Sequence, residues 1–170
     1  MTKKRRIIDD PLETPAARLP TYGTGEVAAI LGTEIWRVQK YLDSPKYGLS
    51  PSGSLGSGRG SRRVFSLQDI YRLGVAEHLV RNGFSYKFVS EALQQIEDED
   101  LLGRIGEEGV ELPLVYVLSG GEGSVTVKAV HWNRKISEFV KTTKNAGFYV
   151  LDLGGVATAI QSKMQELGLL

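Results

Sequence analysis

The sequence predicts an α+β chain of two units: a mostly helical N-terminal unit that carries a β-hairpin, then a small β-β-α-β-α unit. Three observations carry that prediction. Between Tyr22 and Ile96, apolar residues recur at the three-to-four-residue spacing of helices in four short segments. A Gly/Ser-rich stretch from Gly48 to Ser66 interrupts those segments and can form a hairpin. From Leu112 onward, short apolar or alternating runs are set off by glycines, the pattern of strands alternating with helices.

Composition narrows the function classes. The 170 residues are 41% apolar, enough for a packed core. Cysteine is absent, which excludes disulfides, thiolate metal sites and a cysteine nucleophile, and fits a reducing cytoplasm. The two histidines, His78 and His131, are too few and too far apart for zinc, so no metal or cofactor is expected. No apolar run approaches the roughly 20 residues of a membrane span. The basic start, Lys3-Lys4-Arg5-Arg6, lacks the long apolar region of a secretory signal. Charge is uneven along the chain. Residues 1–20 carry five Lys/Arg against three Asp/Glu, residues 21–96 nine against six, and residues 97–170 seven against eleven. A nucleic-acid surface is therefore expected within the first 96 residues.

In order, residues 1–20 hold three of the six prolines and little periodicity. They read as a disordered basic arm, free or lying along phosphates. Residues 21–96 read as a DNA-binding unit. In Tyr22–Leu42, Thr24 caps a first helix with Val27, Ile30 and Leu31 inward. Gly32 stops that helix in the left-handed conformation. A second helix restarts at Thr33 or Glu34, with Ile35, Val38 and Leu42 as its apolar stripe. At about 100° per residue, Trp36, Arg37, Lys40 and Tyr41 fall on the opposite arc. Two cations and two aromatics facing outward after a short turn are what a helix-turn-helix presents to a major groove. The alternative is an ordinary solvated helix face.

Pro45 ends the second helix. Leu49 on one side and Val64 and Phe65 on the other then pair as strands around a flexible tip that holds Arg59, Arg62 and Arg63. This is a wing suited to a phosphate backbone, or else a plain flexible loop. The Gly56-x-Gly58-x-Gly60 spacing is a weak signal for a nucleotide site, because no buried strand precedes it and no helix N-terminus follows it directly. Ser66-x-x-Asp69 is a capping box opening a helix with Ile70, Leu73, Ala76 and Val80 inward. Asn82-Gly83 ends it, and Ser85 caps a fourth helix striped by Phe88, Val89, Ala92, Leu93 and Ile96. His78 reads as a boundary residue.

The order helix, turn, helix, wing, helix, helix resembles the DNA-binding domain of the MerR family over residues 22–93. The matching pieces are GEVAAILG at the first helix and RRVFSLQDIYRLGVAEHLVRNGFSYKFVSEAL from the wing onward. The resemblance implies DNA contacts from Trp36, Arg37 and Lys40, with Tyr41 at an aromatic position, and from Arg63 with Arg62 on the wing. It also implies a cytoplasmic, nucleoid-associated bacterial regulator acting on double-stranded DNA. The family's usual dimer is not implied, but a single module of this size makes few base contacts, so a homodimer, or RNA polymerase or another protein partner, is expected to supply specificity. Two features depart from the family. Gln39 stands where the family usually has arginine. The long dimerising helix is also missing: residues 97–111 read as an acidic linker containing Gly103, Gly106 and Gly109.

Residues 112–170 read as the small α/β unit. It comprises a strand from Leu112 to Leu118, a turn at Gly120–Gly123, an alternating strand from Ser124 to Val130, a helix capped by Asn133, a strand from Phe148 to Leu153, and a last helix from Val156 to Leu167. That helix can pack in trans, so the unit can dimerise the protein or bind a partner. Asp152 beside Gly154-Gly155 is either a ligand position or a polar strand end. No nucleophile–base pair, metal cluster or phosphate loop is visible, so no enzyme is expected. Two further readings stay open: an architectural, excisionase-like DNA-binding protein, and an adaptor whose α/β unit binds a protein or small molecule.

Overall fold

The computed structural model describes residues 21–55, 62–96, 114–121, 124–131 and 148–170. The elements are β1 (Tyr22–Gly23), α1 (Thr24–Leu31), α2 (Ile35–Asp43), a 3-10 turn (Pro45–Tyr47), β2 (Gly53–Leu55), β3 (Arg62–Phe65), α3 (Leu67–Arg81) and α4 (Tyr86–Gln95). They continue with β4 (Leu114–Gly121), β5 (Ser124–His131), β6 (Phe148–Asp152) and α5 (Leu153–Glu166). The described residues thus hold five helices and two antiparallel sheets, in the orders β1-β3-β2 and β5-β4-β6. The class is α+β. The arm over 1–20, the linker over 97–111 and the helix expected after Asn133 lie outside the described residues.

The helix-turn-helix forms for local reasons. Gly32 adopts φ +58°, and Thr33 N–H returns to the Ala28 carbonyl at 2.9 Å, closing α1. The start of α1 differs from expectation. Thr24 is already helical, and the Glu26 carboxylate caps the end by accepting from Gly23 N–H at 2.6 Å. In α2 the inward side is Val38 and Tyr41, with Leu42 half-buried. Ile35, expected in the apolar stripe, is 51% exposed, because it opens the helix before α2 meets the core.

The wing forms, one step later than the sequence suggests. Gly53 pairs with Val64 and Leu55 with Arg62, while Tyr22 of β1 pairs with Phe65 on the other side of β3. Leu49, expected as the first wing strand, is buried in the core instead. The Ser66–Asp69 capping box is present, with Asp69 N–H donating to Ser66 Oγ at 3.2 Å and Ser66 N–H to Asp69 Oδ2 at 2.8 Å. Ser52 N–H also donates to that carboxylate at 3.0 Å, fastening the foot of the wing to α3. Helix α3 is central. Ile70, Tyr71, Leu73, Val75, Ala76 and Leu79 are all buried, so it packs on more than one side. Ser85 caps α4, accepting from Phe88 N–H at 3.3 Å.

The last helix packs within the chain. Leu153, Ala157, Ile160 and Met164 join one buried cluster with residues of α1, α3 and α4. Ile160 lies on Gly74 of α3, where an added Cβ would come within 2.6 Å of Ile160 Cδ1. Gln161 Nε2 donates to the Tyr71 hydroxyl at 3.3 Å, and His78 Nε2 stands 2.9 Å from the Tyr149 hydroxyl. Asp152 is a helix cap, its Oδ1 accepting from Gly155 N–H at 2.8 Å.

Candidate nucleic-acid interface

The outer face of α2 is built by what its inner face holds. Val38 and Tyr41 anchor it in the core, which leaves Trp36, Gln39 and Lys40 exposed, Trp36 at 58%. A tryptophan that exposed next to a lysine is the kind of surface that interfaces use. Lys40 Nζ lies 5.1 Å from the centre of the Tyr86 ring, a cation–π distance. Tyr86 meets Tyr47 edge to face, and Tyr47 meets Tyr41 the same way, each pair at 4.9 Å between centroids. The chain of rings connects the lysine at the surface to the core.

Tyr41 requires correction. It is a buried core residue rather than an outward one, and its hydroxyl donates to Glu77 Oε2 at 2.5 Å. Its three-residue spacing from Val38 puts both on one face, which is why it cannot share the arc of Trp36.

Arg37 is half-buried, with Nε 3.1 Å from Glu77 Oε2. Arg81 Nε donates to Glu77 Oε1 at 2.7 Å, and Arg81 Nη2 donates to the Gly32 carbonyl at 2.8 Å. Glu77 is thus a buried carboxylate joined to α2 by Arg37 and Tyr41, and through Arg81 to the turn between α1 and α2. Sequence reasoning missed it. The signal was there: a glutamate amid the apolar positions of α3 with an arginine four residues on. Burial alone would raise the Glu77 pKa. The hydrogen bonds from Tyr41 and Arg81 and the charges of Arg37 and Arg81 outweigh it and hold the carboxyl below its ordinary value. Burial, then the bond to Glu77, pushes the Tyr41 hydroxyl well above its ordinary value. The guanidinium of Arg37 is raised, first by its bond to Tyr41 and then by the Glu77 charge against the opposing effect of burial.

On the wing, Arg62 is exposed, and Arg63 Nη2 stands 2.7 Å from Asp43 Oδ1 at the end of α2. Arg59 lies outside the described residues. The structure therefore brings Trp36, Arg37 and Lys40 together on α2, with Arg63 tied to the end of that helix. Among the described residues no group of His, Asp and Glu could hold a metal ion, and no helix is long and apolar enough to cross a membrane. The cleft between α1, α3 and α5 encloses about 170 Å³, below the roughly 300 Å³ at which small-molecule pockets begin.

Residues 22–96 match the family described as MerR HTH family regulatory protein. That stretch is β1 through the end of α4, so residues 22–96 are similar to the helix-turn-helix domain of MerR-type DNA-binding regulators. No curated protein is significantly similar to the chain.

Proposed function

We propose that the protein is a sequence-specific, DNA-binding transcriptional regulator whose α2 enters the major groove. Trp36, Arg37 and Lys40 face base edges, and Arg62 and Arg63, together with Arg59, hold the flanking phosphates. One observation carries this reading. The inner side of α2 is locked to α3 through Tyr41 and Glu77, while its outer side leaves Trp36 and Lys40 in solvent beside the arginine-bearing strand β3. A nine-residue helix touches few base pairs, so a second copy of the chain supplies the rest of the operator. RNA polymerase or another protein is the partner through which binding alters transcription. The reading gives the protein no catalytic step, no cofactor, and a place on the bacterial nucleoid in the cytoplasm.

The test is selection from a randomised DNA pool by the full chain, followed by titration at several salt concentrations. Enrichment of one sequence, with affinity falling steeply as salt rises, supports the reading. Absence of binding above background at low salt would overturn it.

A further inference from the structure

Most exposed arginines on a helix sample many rotamers and lose that freedom when they bind. Arg37 does not stand free. Its Nε is fixed at 3.1 Å from Glu77 Oε2, on a carboxylate whose side chain is only 4% exposed and which Tyr41 and Arg81 hold from two other directions. A guanidinium has two donor edges. Glu77 and Tyr41 both hold the guanidinium from the core side, and the side chain keeps 32% of its surface in solvent, which leaves its outward edge of terminal nitrogens as the fork a ligand can meet. Arg37 is also the third residue of α2, in the N-terminal part of a recognition helix, from which base edges are reached. A planar two-donor fork in the major groove matches one base, guanine, through its O6 and N7 acceptors.

We propose that Glu77 is a positioning residue for DNA readout, holding Arg37 in advance so that its terminal nitrogens read a guanine in each half-site. The inference rests on the reading of α2 as the recognition helix, and it adds the base read and the residue that fixes the reader. Glu77 touches no DNA. It acts by removing the rotamer freedom that Arg37 would otherwise surrender on binding. Lys40 is arranged in a looser way, over the Tyr86 ring, and carries one point charge with no fork, so it discriminates less.

The experiment uses the full chain and the sequence selected by the wild type. Each guanine of that sequence is replaced singly by 7-deazaguanine, which lacks the N7 acceptor. One replacement per half-site should weaken wild-type binding about 5- to 150-fold, the range of a good bidentate contact, and leave Arg37→Ala unaffected. Glu77→Gln, checked for folding by circular dichroism, should relax the preference at that base pair alone while keeping the wild-type salt dependence. A general loss of structure would instead lower affinity at every position. A second measurement needs no change at Glu77. In the free protein, the Arg37 Nε proton should exchange with water more slowly than that of Arg62. Binding with full sequence preference that no deazaguanine and no Arg37 substitution alters would overturn this inference and leave the regulator reading intact. Absence of any DNA binding would remove both. A freely exchanging Arg37 Nε proton, or a folded Glu77→Gln with unchanged base preference, would remove the positioning role alone.

Discussion

Asp43 Oδ1 and Arg63 Nη2 stand 2.7 Å apart, so the end of α2 and the middle strand of the wing sheet are joined by one exposed ion pair. Both side chains are well solvated, and such a pair adds at most about 1 kcal/mol to folding. On the proposed reading of α2 and the wing, its larger effect is on DNA. Asp43 both occupies a wing arginine and sets a negative charge where phosphates would lie. Asp43→Asn should therefore strengthen binding to all sequences and steepen its salt dependence. Arg63→Ala should do the reverse, lowering the salt slope by about one. Affinities of both variants, measured across salt concentrations on specific and random DNA, check the pair. Equal slopes in wild type and Arg63→Ala would take Arg63 off the backbone.

Tyr41→Phe removes one hydroxyl from a buried carboxylate. Glu77 then loses a donor at 2.5 Å while the ring packing against Tyr47 is kept. An underbonded buried acceptor costs about 1–3 kcal/mol, more when it is charged. Thermal or urea denaturation should show that loss. DNA affinity at low temperature should fall less than stability, since the outward face of α2 is untouched. A neutral Tyr41→Phe would mean that Glu77 is not held as described.

These residues mark what the sequence could and could not reveal. Gly32, Ser66 with Asp69, Gly83 and Ser85 act within a few residues of themselves, so their roles follow from turn and cap chemistry alone. The order of the four helices from Tyr22 to Ile96 and the hairpin between the second and third followed from such signals, while the short strand β1 and the 3-10 turn did not. Tyr41 was misplaced by a helical wheel drawn around the wrong stripe. With Ile35 at the exposed start of α2, the inward face is centred on Val38 and Tyr41. Leu49 was read as a strand because it flanks the glycines, whereas its burial is settled by a core assembled from distant helices. Tyr41 meets Glu77 across 36 residues of chain and Gly32 meets Arg81 across 49, separations no local period reports. The same holds for α5, whose apolar stripe was visible but whose partner, α3, was not.

The Glu77 network also sets a pH dependence. The folded carboxyl sits below its ordinary value of 4.5, so below that pH the unfolded chain binds a proton that the native state resists. The stabilisation is present above pH 4.5 and is lost as pH falls through the folded value. Tyr41 acts on the alkaline side. Its folded value lies above the ordinary 10.0, so its contribution is complete below pH 10 and fades as pH rises beyond it. Denaturation midpoints from pH 3 to 11 should decline at both ends, and Tyr41→Phe should remove much of the alkaline decline. Glu77→Gln should flatten the acid side relative to wild type while lowering stability at neutral pH.

Ile160 offers a test of whether the last helix belongs to the same folding unit as the DNA-binding elements. Its side chain is 4% exposed, Cδ1 presses on Gly74, and neighbouring Leu153, Ala157 and Met164 are buried in the cluster that includes Val27 and Leu73. Ile160→Ala opens a cavity in that shared packing and should cost about 2–5 kcal/mol. If the packing is cooperative, the loss appears everywhere at once. Trp36, on the far side of α2, should unfold with the same lowered midpoint as the overall circular dichroism signal. A Trp132→Phe background makes Trp36 the sole tryptophan for that measurement. The same reasoning predicts that a chain ending at residue 96 is less stable than the intact protein, because it leaves bare the surface of Gly74 that Ile160 covers. Two separate transitions in Ile160→Ala, with Trp36 melting at the wild-type midpoint, would show that α5 docks on a helix-turn-helix that is already stable without it.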